Sequence, residues 1–198
     1  MSNFTTELEA VNTMLSAVGS QPVNSLDAGA EVAIAKNILR ETRREVLSRG
    51  WSFNYETEVK LTPVNDEIVL AENVLRIDGS AGHNSNLDLV QRGTRLYDRK
   101  GHTYAITAPV TVDIIYNLEW TLLPEVARRF IMIRSARVFA DRVVGYGPQH
   151  SFTLADEFQA LTDLKDAEGD TADHNYLTGN NDVYRVVRRE SVSRKIRF

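Results

Sequence analysis

Apolar residues recur first at helical spacing, then at alternate positions, then at helical spacing again, which divides the chain into helices, a β-rich stretch and helices. Leu8, Val11, Leu15 and Val18 form the first stripe. Thr6 and Glu9 have the spacing of a capping box ahead of it, and Gly19 followed by Gln21-Pro22 stops it. A second start signal, Ser25-Leu26-Asp27, precedes a stripe of Val32, Ala35, Leu39, Thr42 and Val46. Arg40, Glu41, Arg43, Arg44 and Glu45 occupy the wet faces of that helix, and Gly50 stands where a left-handed residue would end it.

Period two begins after Gly50. Trp51, Phe53 and Tyr55 fall on one face of a predicted strand, with Ser52, Asn54 and Glu56 on the other. Further strands are predicted over 68–70, 74–77, 87–91, 95–97, 104–106 and 110–116, with turns at 63–66, 78–79, 91–94 and 99–101. Such short connections imply antiparallel pairing.

Helix returns at Leu123-Pro124-Glu125, with proline suited to the first helical position. The expected packing stripe is Val126, Phe130, Ile133, Ala136, Ala140 and Val144, leaving Arg128, Arg129, Arg134, Arg137 and Arg142 on the other faces. A fourth helix follows Gly147-Pro148, with Phe152, Ala155, Phe158, Leu161 and Leu164 inward and Asp156, Glu157, Asp163, Asp166 and Glu168 outward. The third and fourth helices could pair through opposite charge or face different neighbours. The predicted fold is α+β: a four-helix bundle from 1–50 and 123–169, an antiparallel β insertion over 51–122, and a connector with an extended tail over 170–198. Gly50, Trp51 and Phe53 form the expected junction of bundle and sheet, with the two aromatics as anchors.

Charge alters this picture at one end. The chain of 198 residues has a net charge of -4, yet its last fourteen residues hold six basic side chains against Glu190 alone. Tyr184, Arg185, Arg188, Arg189, Arg194, Lys195, Arg197 and Phe198 interleave charge with apolar surface, the make-up of a tail that docks on an acidic partner. A chain without cysteine has neither disulfides nor thiolate chemistry. Its apolar runs are too short to cross a membrane, and its first residues lack the features of a secretory signal, so residence in a cytoplasm or in a particle built there is expected.

Candidate chemistry is sparse. His83, His102, His150 and His174 have no metal-ligand spacing. Asp78, Asp88, Asp98 and Asp113 lie in or beside the sheet, where a glycosidase would need two acids on facing elements. Neither a phosphate-binding glycine loop nor a nucleophile elbow occurs. No catalytic, cofactor-binding or metal site is predicted, and an acidic pI near 5.6 argues against binding nucleic acid by charge.

Three stretches resemble the tail tubular protein A family of autographivirus-type, short-tailed bacteriophages. They are Glu7 to Gly19 with Pro22-Val23, the run Ser48-Arg49-Gly50-Trp51-Ser52-Phe53-Asn54, and Tyr97-Asp98-Arg99 with Val110 to Ile115 and Leu123-Pro124-Glu125. The resemblance implies a virion protein assembled in the host bacterial cytoplasm. As a head-to-tail adaptor or gatekeeper it would form a dodecameric ring beneath the portal protein. It would extend the channel through which double-stranded DNA is ejected and receive the nozzle, tail tubular protein B, with tail fibre protein attached around that junction. By analogy with related adaptors, Arg185 to Phe198 becomes the expected portal contact. The alternative is a tail-associated hydrolase of cell-wall or capsular polysaccharide, with Asp98 and Asp113 as the acids.

Overall fold

The computed structural model describes residues 4–80, 86–145 and 150–171, and within them the protein is α+β. Helix α1, Glu7–Ala17, opens on the expected capping box: the Thr6 hydroxyl accepts from the Glu9 amide at 3.2 Å and the Glu9 carboxylate accepts from the Thr6 amide at 2.7 Å. It buries Ala10, Val11, Met14 and Leu15. Helix α2, Ala30–Leu47, begins later than its sequence signal. The Ser25 hydroxyl instead accepts from the Asp27 amide in a local turn, and Gly29, at φ 98°, turns the chain onto the helix axis.

Helices α3, Glu125–Val143, and α4, His150–Thr171, follow the strands. Pro124 is the cap of α3 rather than its first helical residue. Because α3 packs against α1, α2 and α4, it buries more than one stripe: Ala127, Arg128, Phe130, Ile131, Ser135, Ala136 and Phe139 are all inside. Of the expected stripe only Phe130 and Ala136 are fully buried, and Val144 is exposed.

Helix α4 is rotated from its predicted orientation. Glu157, Ala160 and Leu164 point inward, whereas Ala155 is exposed and Phe158 is 70 % exposed. The Phe152 side chain lies outside the described residues. The physical reason is on α3, which presents two arginines to α4: Arg134 Nη1 and Arg137 Nε both donate to the Glu157 carboxylate. Phenylalanine in that place would set apolar surface against two guanidiniums and remove the carboxylate they share, a costlier arrangement than exposing Phe158. Arg134 also reaches Glu45 at 2.6 Å, Arg137 reaches Asp141 at 3.0 Å and Arg142 grips Glu41 at 2.8 and 3.0 Å. The arginines of α3 therefore tie α2 and α4 to it within one chain.

Between α2 and α3, strands β1 (Tyr55–Leu61), β2 (Val74–Gly79) and β5 (Val110–Tyr116) form an antiparallel sheet in the order β1-β5-β2. Strands β3 (Leu89–Arg92) and β4 (Arg95–Asp98) form a separate hairpin. Asp78 and Gly79 are paired residues of β2 rather than a turn. The predicted strands at 68–70 and 104–106 do not form: the first makes only an isolated bridge, Val69 to Arg95, because tight turns on either side leave too few residues for a ladder. Two hydrophobic clusters result, one among the helices with Trp51, Trp120 and Leu123, the other among the strands with Leu96, Ile106, Val112 and Ile114.

Burial works to raise the Glu157 carboxyl, but hydrogen bonds from Arg137 and Arg134 and their charges outweigh it and hold the group below the ordinary glutamate range. A depressed folded-state pKa contributes stability above the unfolded value, about 4.3, and loses it as pH falls through the folded value. Glu157→Gln should therefore lower stability by about 3 kcal/mol at pH 7, with the deficit shrinking as the parent is acidified below about pH 4, as urea unfolding across pH would show.

Candidate functional site

The chain leaves α2 through Ser48, Arg49 and Gly50, and a helix ending there has carbonyls without intrahelical donors. The Arg49 amide reaches Val46 O at 3.3 Å and the Gly50 amide reaches Leu47 O at 3.1 Å, and two side chains just beyond the helix add a second donor to each. The Trp51 indole donates to Val46 O at 2.8 Å, and the Asn54 amide donates to Leu47 O at 2.9 Å. Asn54 also donates to Tyr116 O at 2.7 Å, at the end of β5, while its own oxygen accepts from the Trp51 amide at 2.8 Å. One buried amide group, 2 % exposed, thus joins the end of α2, the turn after it and the last residue of the central strand.

This corrects the predicted strand from Trp51. Residues Ser52–Asn54 form a 3-10 turn, and β1 starts only at Tyr55. Asn54, expected on the outer face, is inside, and Tyr55 is exposed. The inward bond from Asn54 to Trp51 closes the turn and consumes the residues that alternation had assigned to a strand. Trp51 and Phe53 stack with ring centroids 6.5 Å apart, and both pack in the helical cluster. Gly50, at φ 75°, has no room for a side chain: a Cβ there would lie 2.5 Å from Ile115 Cδ1 of β5. On the outer side, Glu168 of α4 accepts from the Ser52 amide, and from its hydroxyl at 2.9 Å.

The return to the helices is built similarly. Arg128, expected on a wet face, is buried and donates to the carbonyls of Leu123 at 2.9 Å, Thr5 at 3.0 Å and Thr121 at 2.8 Å. The Trp120 indole donates to Thr5 O at 2.9 Å, and Glu125 accepts from the Thr5 amide at 2.9 Å. The segment before α1 is held against the start of α3.

The acids of the sheet are occupied by backbone geometry. Opposite Asp113, β1 carries two residues, Thr57 and Glu58, where one would fit, and Asp113 Oδ1 accepts from the bulged Glu58 amide at 2.9 Å. Ser80 Oγ and Tyr55 Oη also donate to Asp113. Asp98 accepts from the amides of Asp88, Lys100 and Gly101, and these bonds, the Asp88 amide foremost, hold its carboxyl below the usual range. Asp88 pairs with Arg99 at 2.9 Å, and Asp78 accepts from the next amide. Among the described residues no group of His, Asp and Glu comes together as a metal ion would require, and no helix is long and apolar enough to cross a membrane. His102 lies in an exposed turn; His83 and His174 lie outside the described residues, as do Tyr184, Arg185, Arg188, Arg189, Arg194, Lys195, Arg197 and Phe198.

Gly50, Trp51 and Phe53 lie between α2 and β1, and the sequence had not singled out the contacts of Asn54, Ile115, Arg128 and Glu168. Asn54 had a signal: an asparagine three residues after the residue that follows a helix-ending glycine can close a turn on that residue's amide.

Polar groups placed in this way hold the chain in one shape. A family model described as tail tubular protein matches residues 8–174, and the chain belongs to that family. It is therefore a structural component of the phage tail. No curated protein matches it.

Asn54→Ala takes the side-chain partner from the Trp51 amide and from Tyr116 O, while Leu47 O keeps the Gly50 amide, and should cost about 2 kcal/mol, measured by urea unfolding. Gly50→Ala should cost about 2 kcal/mol from the left-handed backbone and the Ile115 contact together. Adding Ile115→Val, which removes the Cδ1 atom, should recover part of that loss, so the pair should be measurably non-additive in the same assay.

Proposed function

We propose that the protein is the subunit of a head-to-tail adaptor ring, a dodecamer in the virion. In this reading it joins the portal to the tail nozzle, tail tubular protein B, lies near the tail fibre attachment, and continues the channel for ejected DNA. The observation that carries the reading is the doubly fastened junction. A ring that transmits position from portal to nozzle needs a fixed angle between the part facing each. Here the helical cluster and the strand cluster are coupled by Asn54, Gly50 against Ile115, and Glu168 against Ser52. Residues 1–50 and 123–169 would form the helical bundle around the ring, and 51–122 the inserted sheet directed to the nozzle. The acidic body suits a conduit, since each added phosphate contact would slow DNA passage.

The basic tail, Tyr184 to Phe198, is assigned to the portal by its charge and interleaved apolar residues. The hydrolase reading has less support, because Asp98 and Asp113 already serve a turn and a bulge.

Purified protein mixed with portal should co-sediment as one ring per portal. Removing residues 184–198 should abolish that binding while leaving thermal unfolding unchanged. Unaltered docking after the deletion would take the tail out of the interface. Absence of portal binding by the full chain at every ionic strength would overturn the adaptor reading.

A further inference from the structure

Two helix faces that no described residue covers complement each other. On α2, Ile34 is 48 % exposed, and Asn37, Arg40, Glu41 and Arg44 follow it on the solvent side. Glu41 is held by Arg142, whereas Arg40 and Arg44 form no ion pair among the described residues. Asn37, Arg40, Glu41 and Arg44 line, with Arg43 and Asn117, an open cleft of about 500 Å³. Arg43 gives a terminal nitrogen to Glu119 at 3.2 Å, but its buried Nε has no acceptor and the buried Asn117 Oδ1 has no donor among the described residues. The cleft is basic and incompletely satisfied.

On α4, Leu154, Phe158, Thr162, Asp166 and Asp170 recur at every fourth position, one ridge of a helix. Leu154 and Phe158 are 51 % and 70 % exposed, and Asp166 and Asp170 are exposed with no ion pair among the described residues. Each face is apolar toward the start of its helix and charged toward the end, with opposite sign. The spacings also agree: at 1.5 Å per residue, Ile34 to Arg44 spans about 15 Å, and Phe158 to Asp166 and Asp170 about 12 to 18 Å.

We propose that α2 of one copy docks parallel on α4 of the next, with Ile34 against Leu154 and Phe158, and Arg40 and Arg44 against Asp166 and Asp170. The occupant is a second copy because one face of the same chain matches both the charge and the length of the other. A polyanion would engage the arginines and leave Phe158 uncovered. The two faces differ, so the contact is heterologous and propagates from copy to copy, as a ring requires. This inference rests on the ring reading above.

Since the chain has no cysteine, introduced cysteines report a single contact. Under mild oxidation, a mixture of Ile34→Cys and Phe158→Cys chains should give a cross-linked dimer of the two, with neither chain linking to itself. The doubly substituted chain should give a ladder of oligomers. Arg40→Glu with Arg44→Glu should weaken self-association at least tenfold in sedimentation, and Asp166→Arg with Asp170→Arg in the same chain should restore it. Both are surface changes, and circular dichroism would verify that each variant is folded. Rings that form, alone or on portal, with no cross-link and no effect of charge reversal would overturn this interface and leave the ring reading standing. Equal linking of either single-cysteine chain to itself would overturn it in favour of a two-fold contact. Failure to assemble under any condition, portal included, would overturn both.

Discussion

A helix that ends inside a protein must find donors for its last carbonyls, and in this chain side chains from the segment that starts the strands add to the amides of the helix end itself. Trp51 and Asn54 satisfy Val46 and Leu47 only because Gly50 takes a left-handed conformation and brings the following residues back under the helix end. Asn54 then has one hydrogen left, and it goes to Tyr116 at the end of β5. The cap of α2 and the anchor of the central strand are the same side chain. Flexing the sheet away from the helices would take the Asn54 donor from Tyr116 O and pull Ile115 from Gly50, so the joint resists bending for a reason independent of its sequence neighbours.

Elements whose signal is local were legible. The capping box at Thr6, the glycine stop at Gly50 and the four helices follow from a few adjacent residues, as does the turn at 63–66, where Asn65 and Asp66 both adopt positive φ. What failed was orientation. Alternation put Asn54 outside and periodicity put Phe158 inside, because each rule sorts residues by hydrophobicity without knowing what faces them. The facing groups were decisive: the Trp51 amide and the carbonyls of Leu47 and Tyr116 converge on Asn54, and Arg134 with Arg137 drew in Glu157. Asn54, which ties the end of α2 to the end of β5, was therefore placed on the wrong side.

Arg128 shows the same limit from the opposite direction. An arginine on a helix rich in arginine reads as a wet residue, yet its guanidinium holds three carbonyls from two separate segments, Thr5 and the turn at Thr121 and Leu123. Its five donors in a fixed fork suit converging carbonyls that no backbone amide can reach. Nothing within a helical turn of Arg128 encodes that convergence; it exists only once α1, the turn before α3 and α3 itself have met.

The distribution of satisfied charge bears on assembly. Sequence alone makes α3 the basic surface and α4 its acidic complement, which would place the contact between copies on those two helices. In the folded chain Arg128, Arg134, Arg137 and Arg142 already hold partners within the protomer. A charge engaged in a half-buried pair gains little by exchanging one carboxylate for another and would have to break the first pair. An interface draws instead on charges that folding leaves open and on the apolar surface beside them. Among the described residues these lie on α2, where Arg40 and Arg44 follow Ile34, and on the ridge of α4 from Leu154 to Asp170. The rotation of α4 that buries Glu157 is also what turns Phe158 outward, so the ion pairs that bind α4 to its own chain create the face it can offer to the next.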